Sequence, residues 1–564
     1  MLGIVSAANP SVSARLFPAG LWLPQDSFDR SAGYLNGRRI AGGQFFSAVA
    51  THLHPSEQLH VFCPEEAGRE LLRNQCAHTA DQLTLHSEPR HQELARIGCL
   101  HLADPSLVAH ARRRLPLREA DYSISGLIHT LCSRSAIDAI SDCVASDLYP
   151  WDALVCSSAS GRAVVHQIWQ SRMEFLARRC SAEVISDAWM PKTPVIPLPG
   201  PACQPYQPHL SRHDRRLDAR SQLGLDPEAF VVCTVGRLSF SSKAHPIALY
   251  RSLAALAASL DQRLVLVECG AYPSPDVRCT YERLAMSFQG FERVVVGGDA
   301  MASEIQKWQV YAAADVFVSL ADSIQETFGL TLLEAMCAEL PVVASDWDGY
   351  REIVVPGVTG ELISTADVLP ALDEDRMQVG YYSDQLDYDR WVGMASLGVV
   401  VDHDLTVAQL RALAACASTR SRLAAAGCAR FHAVYAPPVV ISQYRQLWQE
   451  LAAVRAHALT STVWSSGRAP SMARLFAGYP TGAFAPVAVE LLDPARVDEL
   501  LSVGLGVWFG RLVFGTAGQA CLQQLCSAGQ INLDDLTGMG YSRSQASRIL
   551  TVLVKFGLAR ERLI

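Results

Sequence analysis
The sequence predicts an α/β fold of Rossmann type, with open, doubly wound parallel sheets and a small, mostly helical region at the end of the chain. Three observations predict it. Short apolar runs of strand length, such as 230–235, 316–318 and 341–344, alternate with stretches of helical period at 247–259, 303–312 and 330–337. Such alternation calls for crossover connections and therefore parallel strands. The chain has 564 residues, too many for one core, so two to four domains are expected. Residues 458–472 are rich in Ser, Thr and Gly and read as a linker, beyond which the pattern is mainly helical.

Composition excludes several classes. Hydrophobic residues make up 49% and charged ones 18%, as in ordinary globular proteins, and the net charge of -8 gives no global reason for nucleic-acid binding. The 16 cysteines form no CxxC pair. Cys156, Cys233, Cys269 and Cys337 fall inside apolar strands or helices, so reduced thiols acting as small hydrophobes, and a cytosolic setting, are expected. No basic stretch followed by an apolar run marks a signal peptide, and no uncharged apolar run is long enough to span a bilayer. The nearest, residues 501–514, is interrupted by Arg511. It reads as a buried helix or hairpin, with an interfacial helix as the alternative.

The first region, residues 1–205, opens irregularly. Gly37, Gly42 and Gly43 precede an amphipathic helix at 44–52. A glycine loop feeding a helix suits close approach of a phosphate or sugar, and a plain turn is the competing reading. A strand at 58–62, a helix at 65–74 and a strand from Tyr122 to Gly126 follow. His129 stands just after that last strand, where a satisfied buried histidine is the bland reading. A helix at 136–146, a strand at 153–157 and a Ser-capped helix at 163–175 come next. Residues 201–220 lack periodicity and mark the domain boundary.

In the second region, 206–455, the strand 230–235 ends in Gly236, Arg237 and, six residues on, Lys243. Arg presents a planar fork to phosphate and Lys a compact charge, so the loop suits an anion. The strand 316–318 leads into a polar loop with Glu326, then Phe328, Gly329 and Leu330, and a helix carrying Glu334. Ligands bind where such strands end, and the amides of the 327–331 turn suit an anion. Acids are also common at helix starts for electrostatic reasons alone. Asp346-Trp347-Asp348 follows the next strand with the spacing of a divalent-metal site. Residues 366–402 read as an insertion or a diverged surface helix, and 406–426 read as one helix.

The segment Glu326-Thr-Phe-Gly-Leu-Thr-Leu-Leu-Glu334-Ala-Met resembles the signature of the retaining glycosyltransferases of the GT-B fold, family 4 type, in which two glutamates have seven residues between them. The resemblance covers residues 120–455 well and 30–120 loosely. It implies two Rossmann-like domains facing a cleft, an acceptor-side domain at 1–205 and a nucleotide-sugar domain at 206–455. It implies that Arg237 and Lys243 hold the departing diphosphate. Glu326 then lies by the donor sugar with His129 opposite, and Glu334 takes the ribose hydroxyls. Phe328, Gly329, Leu330, Gly236, Gly42 and Gly43 complete the donor site. No metal or cofactor is expected, and the Asp346/Asp348 pair is assigned a loop role rather than the metal role of the GT-A class.

Past the linker, placed at 456–475, the accessory domain 476–564 has helices at 518–527, 533–538 and 542–556 and a short strand at 558–563. Leu533, Leu536, Ala546, Ile549, Leu550, Leu553 and Leu558 would form its core. The pattern resembles a winged helix-turn-helix whose third helix shows Arg543, Ser544, Gln545 and Arg548. With so few basic residues, a protein contact is favoured over DNA. The chain therefore reads as a cytoplasmic glycosyltransferase using a nucleotide-sugar donor and a glycan or glycoconjugate acceptor, with peripheral contact at the inner membrane as a variant. The alternative is a non-catalytic scaffold or regulator acting through its C-terminal module.

Overall fold
The computed structural model describes residues 15–29, 37–114, 120–183, 187–202, 206–367 and 374–459, then 485–492 and 527–561 with a few isolated positions. The expected helix at 518–527 and the apolar stretch 501–514 lie almost wholly outside the described residues, as does most of the 456–475 linker. Residues 1–468 form one compact unit and 469–564 another.

The first unit holds two parallel sheets. One is built from β1 (Arg15–Leu16), β2 (Gly20–Trp22), β3 (Glu57–Phe62), β4 (Leu83–His86), β5 (Cys99–Leu102), β6 (Ser123–Leu127) and β7 (Ala153–Val155). β3 pairs with β4 on one side and with β1 and β2 on the other, and β5, β6 and β7 follow beyond β2. The other sheet contains β8 (Phe230–Val235), β9 (Leu264–Ala271), β10 (Glu292–Gly298), β11 (Val316–Ser319), β12 (Val342–Ser345) and β13 (Gly360–Ile363), in the order β10-β9-β8-β11-β12-β13. The chain thus winds outward from β8 in one direction and from β11 in the other. The crevice at the carboxyl ends of β8 and β11 is the place where such a sheet binds ligands.

The inner strands β8, β9, β11 and β12 are buried on both faces, which explains their continuous apolar runs. Val231, Cys233, Val265 and Val267 pack into one layer, and Phe230, Val232, Leu264 and Leu266 into the opposite one. The helix Pro437–Leu459 follows the second sheet in sequence but packs on the first. Trp448 donates its indole N–H to Ser125 Oγ at 3.0 Å, Arg445 grips Glu57 at 2.6 and 2.7 Å, and Arg455 donates to the Gly98 carbonyl at 2.7 Å.

Several elements differ from the sequence expectation. The helix expected at 406–426 is two, His403–Ala415 and Ala417–Arg430, parted at Cys416, whose backbone is extended. The stretch 366–402, expected as an insertion or a single surface helix, contains two helices, Glu374–Tyr382 and Tyr388–Ser396, between the antiparallel strands β14 (Thr365–Asp367) and β15 (Val399–Val401). Cys337 is disulfide-bonded, against the expectation of reduced thiols throughout, whereas Cys156, Cys233 and Cys269 are free and buried. Among the described residues no helix is long and apolar enough to cross a membrane.

In the second unit β16 (Ala488–Leu491) lies between β17 (Gln530–Asn532) and β18 (Ala559–Glu561), all antiparallel. The helices Leu533–Gly538 and Arg543–Lys555 each begin with a reciprocal capping box, at Asn532 and at Ser542. All seven residues expected in the core are there, joined by Val489, Leu491, Phe514 and Ile531. Arg543, Ser544, Gln545 and Arg548 face solvent.

Candidate active site
The carboxyl ends of both sheets open on a cavity of about 830 Å³. Its lining includes His129 after β6, Gly236, Arg237 and Lys243 after β8, and Glu326, Phe328, Gly329, Leu330 and Glu334 after β11. Residues widely separated in sequence meet there because they stand on the loops that follow strand ends or, for Glu334, on the helix that such a loop feeds, where a parallel sheet gathers its connections.

Lys243 and Glu326 form an ion pair, Nζ to Oε2 at 2.7 Å. Burial alone would raise the Glu326 carboxyl. The Lys243 ammonium, the Phe328 N–H and Arg237 outweigh it and hold the pKa below the usual carboxylate value. Glu334 is buried and receives two partners, Lys307 Nζ on Oε1 at 2.7 Å and the Tyr311 hydroxyl on Oε2 at 2.9 Å. Burial would depress the Lys307 amine, but Glu334 and Glu304 more than reverse that and raise it. His129 donates from Nε2 to the Ala103 carbonyl at 2.7 Å, since a carbonyl only accepts, so its neutral form leaves the Nδ1 lone pair free to accept. Burial brings its pKa down to about 4, with Arg38 adding to the drop against that hydrogen bond, so the ring is neutral at neutral pH.

The turn before the helix Leu330–Cys337 depends on one glycine. Gly329 has φ +117°, and a Cβ there would come within 2.6 Å of the Tyr350 ring, so both backbone and space require glycine. Behind it, Ser157 donates to the Thr327 carbonyl at 3.4 Å, and the Ala159 N–H, at the start of the helix Ala159–Cys180, donates to Glu352. A carboxylate at a helix N-terminus is favourably placed. The serine cap expected for this helix is Ser158, four residues earlier than the expected start allowed, and it accepts from the Gly161 N–H at 2.9 Å.

Two expected site residues are not brought to the cavity. Gly42 and Gly43 sit inside the helix Gly37–Thr51 rather than in a loop before it. A Cβ at Gly42 would fall 2.2 Å from the Ser27 carbonyl oxygen, so the glycine there serves packing of the helix on the 25–27 turn. Gly43 lines a neighbouring cavity of about 680 Å³. The cavity meets this helix one turn earlier, at Gly37, Arg38, Arg39, Ile40 and Ala41. Asp346 and Asp348 do not converge: Asp346 pairs with Arg351 at 2.7 Å, and Asp348 turns toward Ser158 Oγ at 3.4 Å. Among the described residues no cluster of three or more His, Cys, Asp or Glu is placed to hold a metal ion.

Sequence reasoning missed Lys307, Tyr388 and Asp389, all of which line the cavity. Lys307 stands next to Trp308 in the helical stretch 303–312, and no local pattern ties it to Glu334. Tyr388 and Asp389 fall in the stretch read as an insertion or surface helix, and nothing in the sequence pointed to them as site residues.

Residues 215–369 match the family described as "Glycosyl transferases group 1". A D-inositol 3-phosphate glycosyltransferase of Corynebacterium aurimucosum is 33% identical over 195 residues, 33% of this chain and 44% of that protein. The lipopolysaccharide core biosynthesis mannosyltransferase LpsB of Rhizobium meliloti is 30% identical over 237 residues, 39% of this chain and 60% of that protein. The chain therefore spans less than two thirds of either relative. Among solved structures, the Anabaena HepE protein in complex with UDP and glucose aligns over 77% of this chain and 99% of its own, with TM-score 0.47 and 15% identity. A glycosyltransferase from Rickettsia africae aligns over 78% of this chain and 98% of its own, with TM-score 0.48 and 11% identity.

Proposed function
We propose that the chain is a glycosyltransferase that moves a sugar from a nucleotide-sugar donor to a hydroxyl of a glycan or glycoconjugate, with retention at the anomeric carbon and without a metal ion. One observation carries the reading. Two cations and two carboxylates, Arg237, Lys243, Glu326 and Glu334, line a single cavity at the switch point of a parallel sheet, inside the segment that matches the glycosyl transferase family. As the bond from the anomeric carbon to the diphosphate breaks and one to the acceptor oxygen forms, negative charge grows on the departing oxygens. Fixed cations lower the barrier at that point. Arg237 and Lys243 take this role, with Gly236, Gly329 and Leu330 letting the backbone approach. Glu334, held rigid by Lys307 and Tyr311, receives the ribose hydroxyls. Glu326 and Phe328 meet the sugar, and neutral His129 faces it as a hydrogen-bond acceptor. We place the reaction in the cytoplasm.

A thermal-shift screen against UDP, GDP, ADP and their sugars, with and without EDTA, tests this. One nucleotide series is expected to raise Tm whether or not EDTA is present, since a ligand at a hundred times its Kd stabilises by about 2.7 kcal/mol. With the donor known, an inositol phosphate and lipid-linked glycans, suggested by the names of the relatives, form the first acceptor panel. NMR of the product's anomeric centre reads retention. Silence toward every nucleotide would favour the scaffold reading instead.

A further inference from the structure
The stretch between β14 and β15 carries a feature that the proposed donor site does not use. The helix Tyr388–Ser396 touches both halves of the cavity. At one end the Tyr388 hydroxyl lies 3.3 Å from Thr130 Oγ1 and 3.3 Å from Cys132 Sγ, and Trp391 donates its indole N–H to the Cys132 carbonyl at 3.2 Å. These partners belong to the loop that follows β6 and begins with His129. At the other end Ser396 Oγ, which donates to the Val392 carbonyl of its own helix at 3.0 Å, lies 3.4 Å from the Ser241 carbonyl, and a Cβ added at Gly393 would sit 3.2 Å from Ser241 Cβ. Ser241 lies in the loop carrying Arg237 and Lys243, and Ser323, three residues before Glu326, donates to the same carbonyl at 3.1 Å.

The preceding helix Glu374–Tyr382 strengthens the first contact. Tyr381 stacks on Trp391 with ring centroids 5.4 Å apart, and the Arg134 guanidinium lies 5.1 Å from the Tyr381 ring. The Arg134 backbone N–H, in the first turn of the helix Arg134–Asp142 and so lacking a partner within that helix, donates to the Tyr381 hydroxyl at 3.1 Å. Arg134 also pairs with Asp384 at 3.0 Å.

We propose that the helix Tyr388–Ser396 is a strut that sets the distance between the two halves of the cavity, with Tyr388 and Trp391 as positioning residues for the His129 loop and Gly393 and Ser396 as positioning residues for the Arg237–Lys243 loop. The proposal rests on the glycosyltransferase reading for its kinetic consequence and on the contacts alone for its structural one. A rigid helix joined to both loops transmits the placement of one to the other, and small misplacements of reacting groups cost rate steeply. The two ends therefore have separable effects.

The test has two arms. In the kinetic arm, Tyr388→Phe and Trp391→Phe are expected to lower kcat for transfer about tenfold while the nucleotide dissociation constant stays within about twofold of wild type. Gly393→Leu, which pushes on Ser241, is expected to weaken nucleotide binding about tenfold. Unchanged kcat in both aromatic variants, or loss of nucleotide binding in them, would overturn the proposal. The second arm needs no turnover: hydrogen exchange at the Arg134 amide is expected to accelerate at least tenfold in Tyr381→Phe. Faster exchange in a protein that transfers no sugar upholds the strut and discards the glycosyltransferase reading. Transfer with unchanged Arg134 exchange discards the strut and keeps the enzyme.

Discussion
Lys243 and Glu326 face each other at the carboxyl ends of neighbouring strands, and Arg237 adds to the positive side of the same cavity. Replacing Arg237 or Lys243 by Ala is expected to lower transfer by about 10²-fold or more, the range seen when one stabilising group for a developing anion is removed. Near-wild-type turnover would exclude them from the site. Deeper in the second sheet's loops, Asp322 accepts the His245 N–H at 3.2 Å, and burial pushes its carboxyl up to about 7 against that hydrogen bond. Its neutral form is thus favoured by folding. The associated stability is complete below the ordinary carboxylate pKa and fades as pH rises toward 7, by at most about 4 kcal/mol. Denaturant titrations between pH 4 and 7 should show a flatter stability slope for Asp322→Asn than for wild type. An identical slope would mean that Asp322 titrates normally. At this scale Arg237, Lys243 and Glu326 were legible because they stand on loops where apolar strands stop, and Glu334 because it stands as a charge inside the apolar helix that follows. Lys307 was not, since its meeting with Glu334 joins helices whose contact no local pattern encodes.

Gly329 shows how an element's start fixes a site. It precedes the helix Leu330–Cys337 in a left-handed conformation against Tyr350. Gly329→Ala combines backbone strain with a clash and is expected to cost about 1–3 kcal/mol, with weaker nucleotide binding, measured by denaturation and calorimetry. A stable variant with intact binding would contradict this account. The strands and most helices of both sheets could be read from apolar periodicity, since strands buried on two faces carry unbroken hydrophobic runs. Three helices could not. The helix Gly37–Thr51 absorbs glycines that locally suggest a loop, because Ser27 packs against Gly42. The helices between 374 and 396 gain their order from Arg134, Thr130 and Cys132, more than two hundred residues earlier in the chain.

On the scale of the whole molecule, the chain divides after residue 468. A protein ending at 468 is expected to keep the main thermal transition within about 2 °C and to bind the same nucleotide, because the cores of the two units are separate clusters. Aggregation or loss of binding in that truncation would show that the units depend on each other. The two-sheet plan was visible in the sequence as strand–helix alternation, but the return of the last long helix to the first sheet was not, because amphipathicity says which face is buried and never against what.

That return has a consequence for birth on the ribosome. The first sheet is complete in strands once Val155 has emerged, yet the helix bearing Arg445, Trp448 and Arg455 follows on the order of 280 residues later, a delay of roughly 15–60 s at ordinary rates of synthesis. Until then Phe17, Phe45 and His101, which close over Tyr444 and Trp448 in the finished fold, stay uncovered and available to chaperones. The N-terminal half therefore completes its core only when its own distant end has been made.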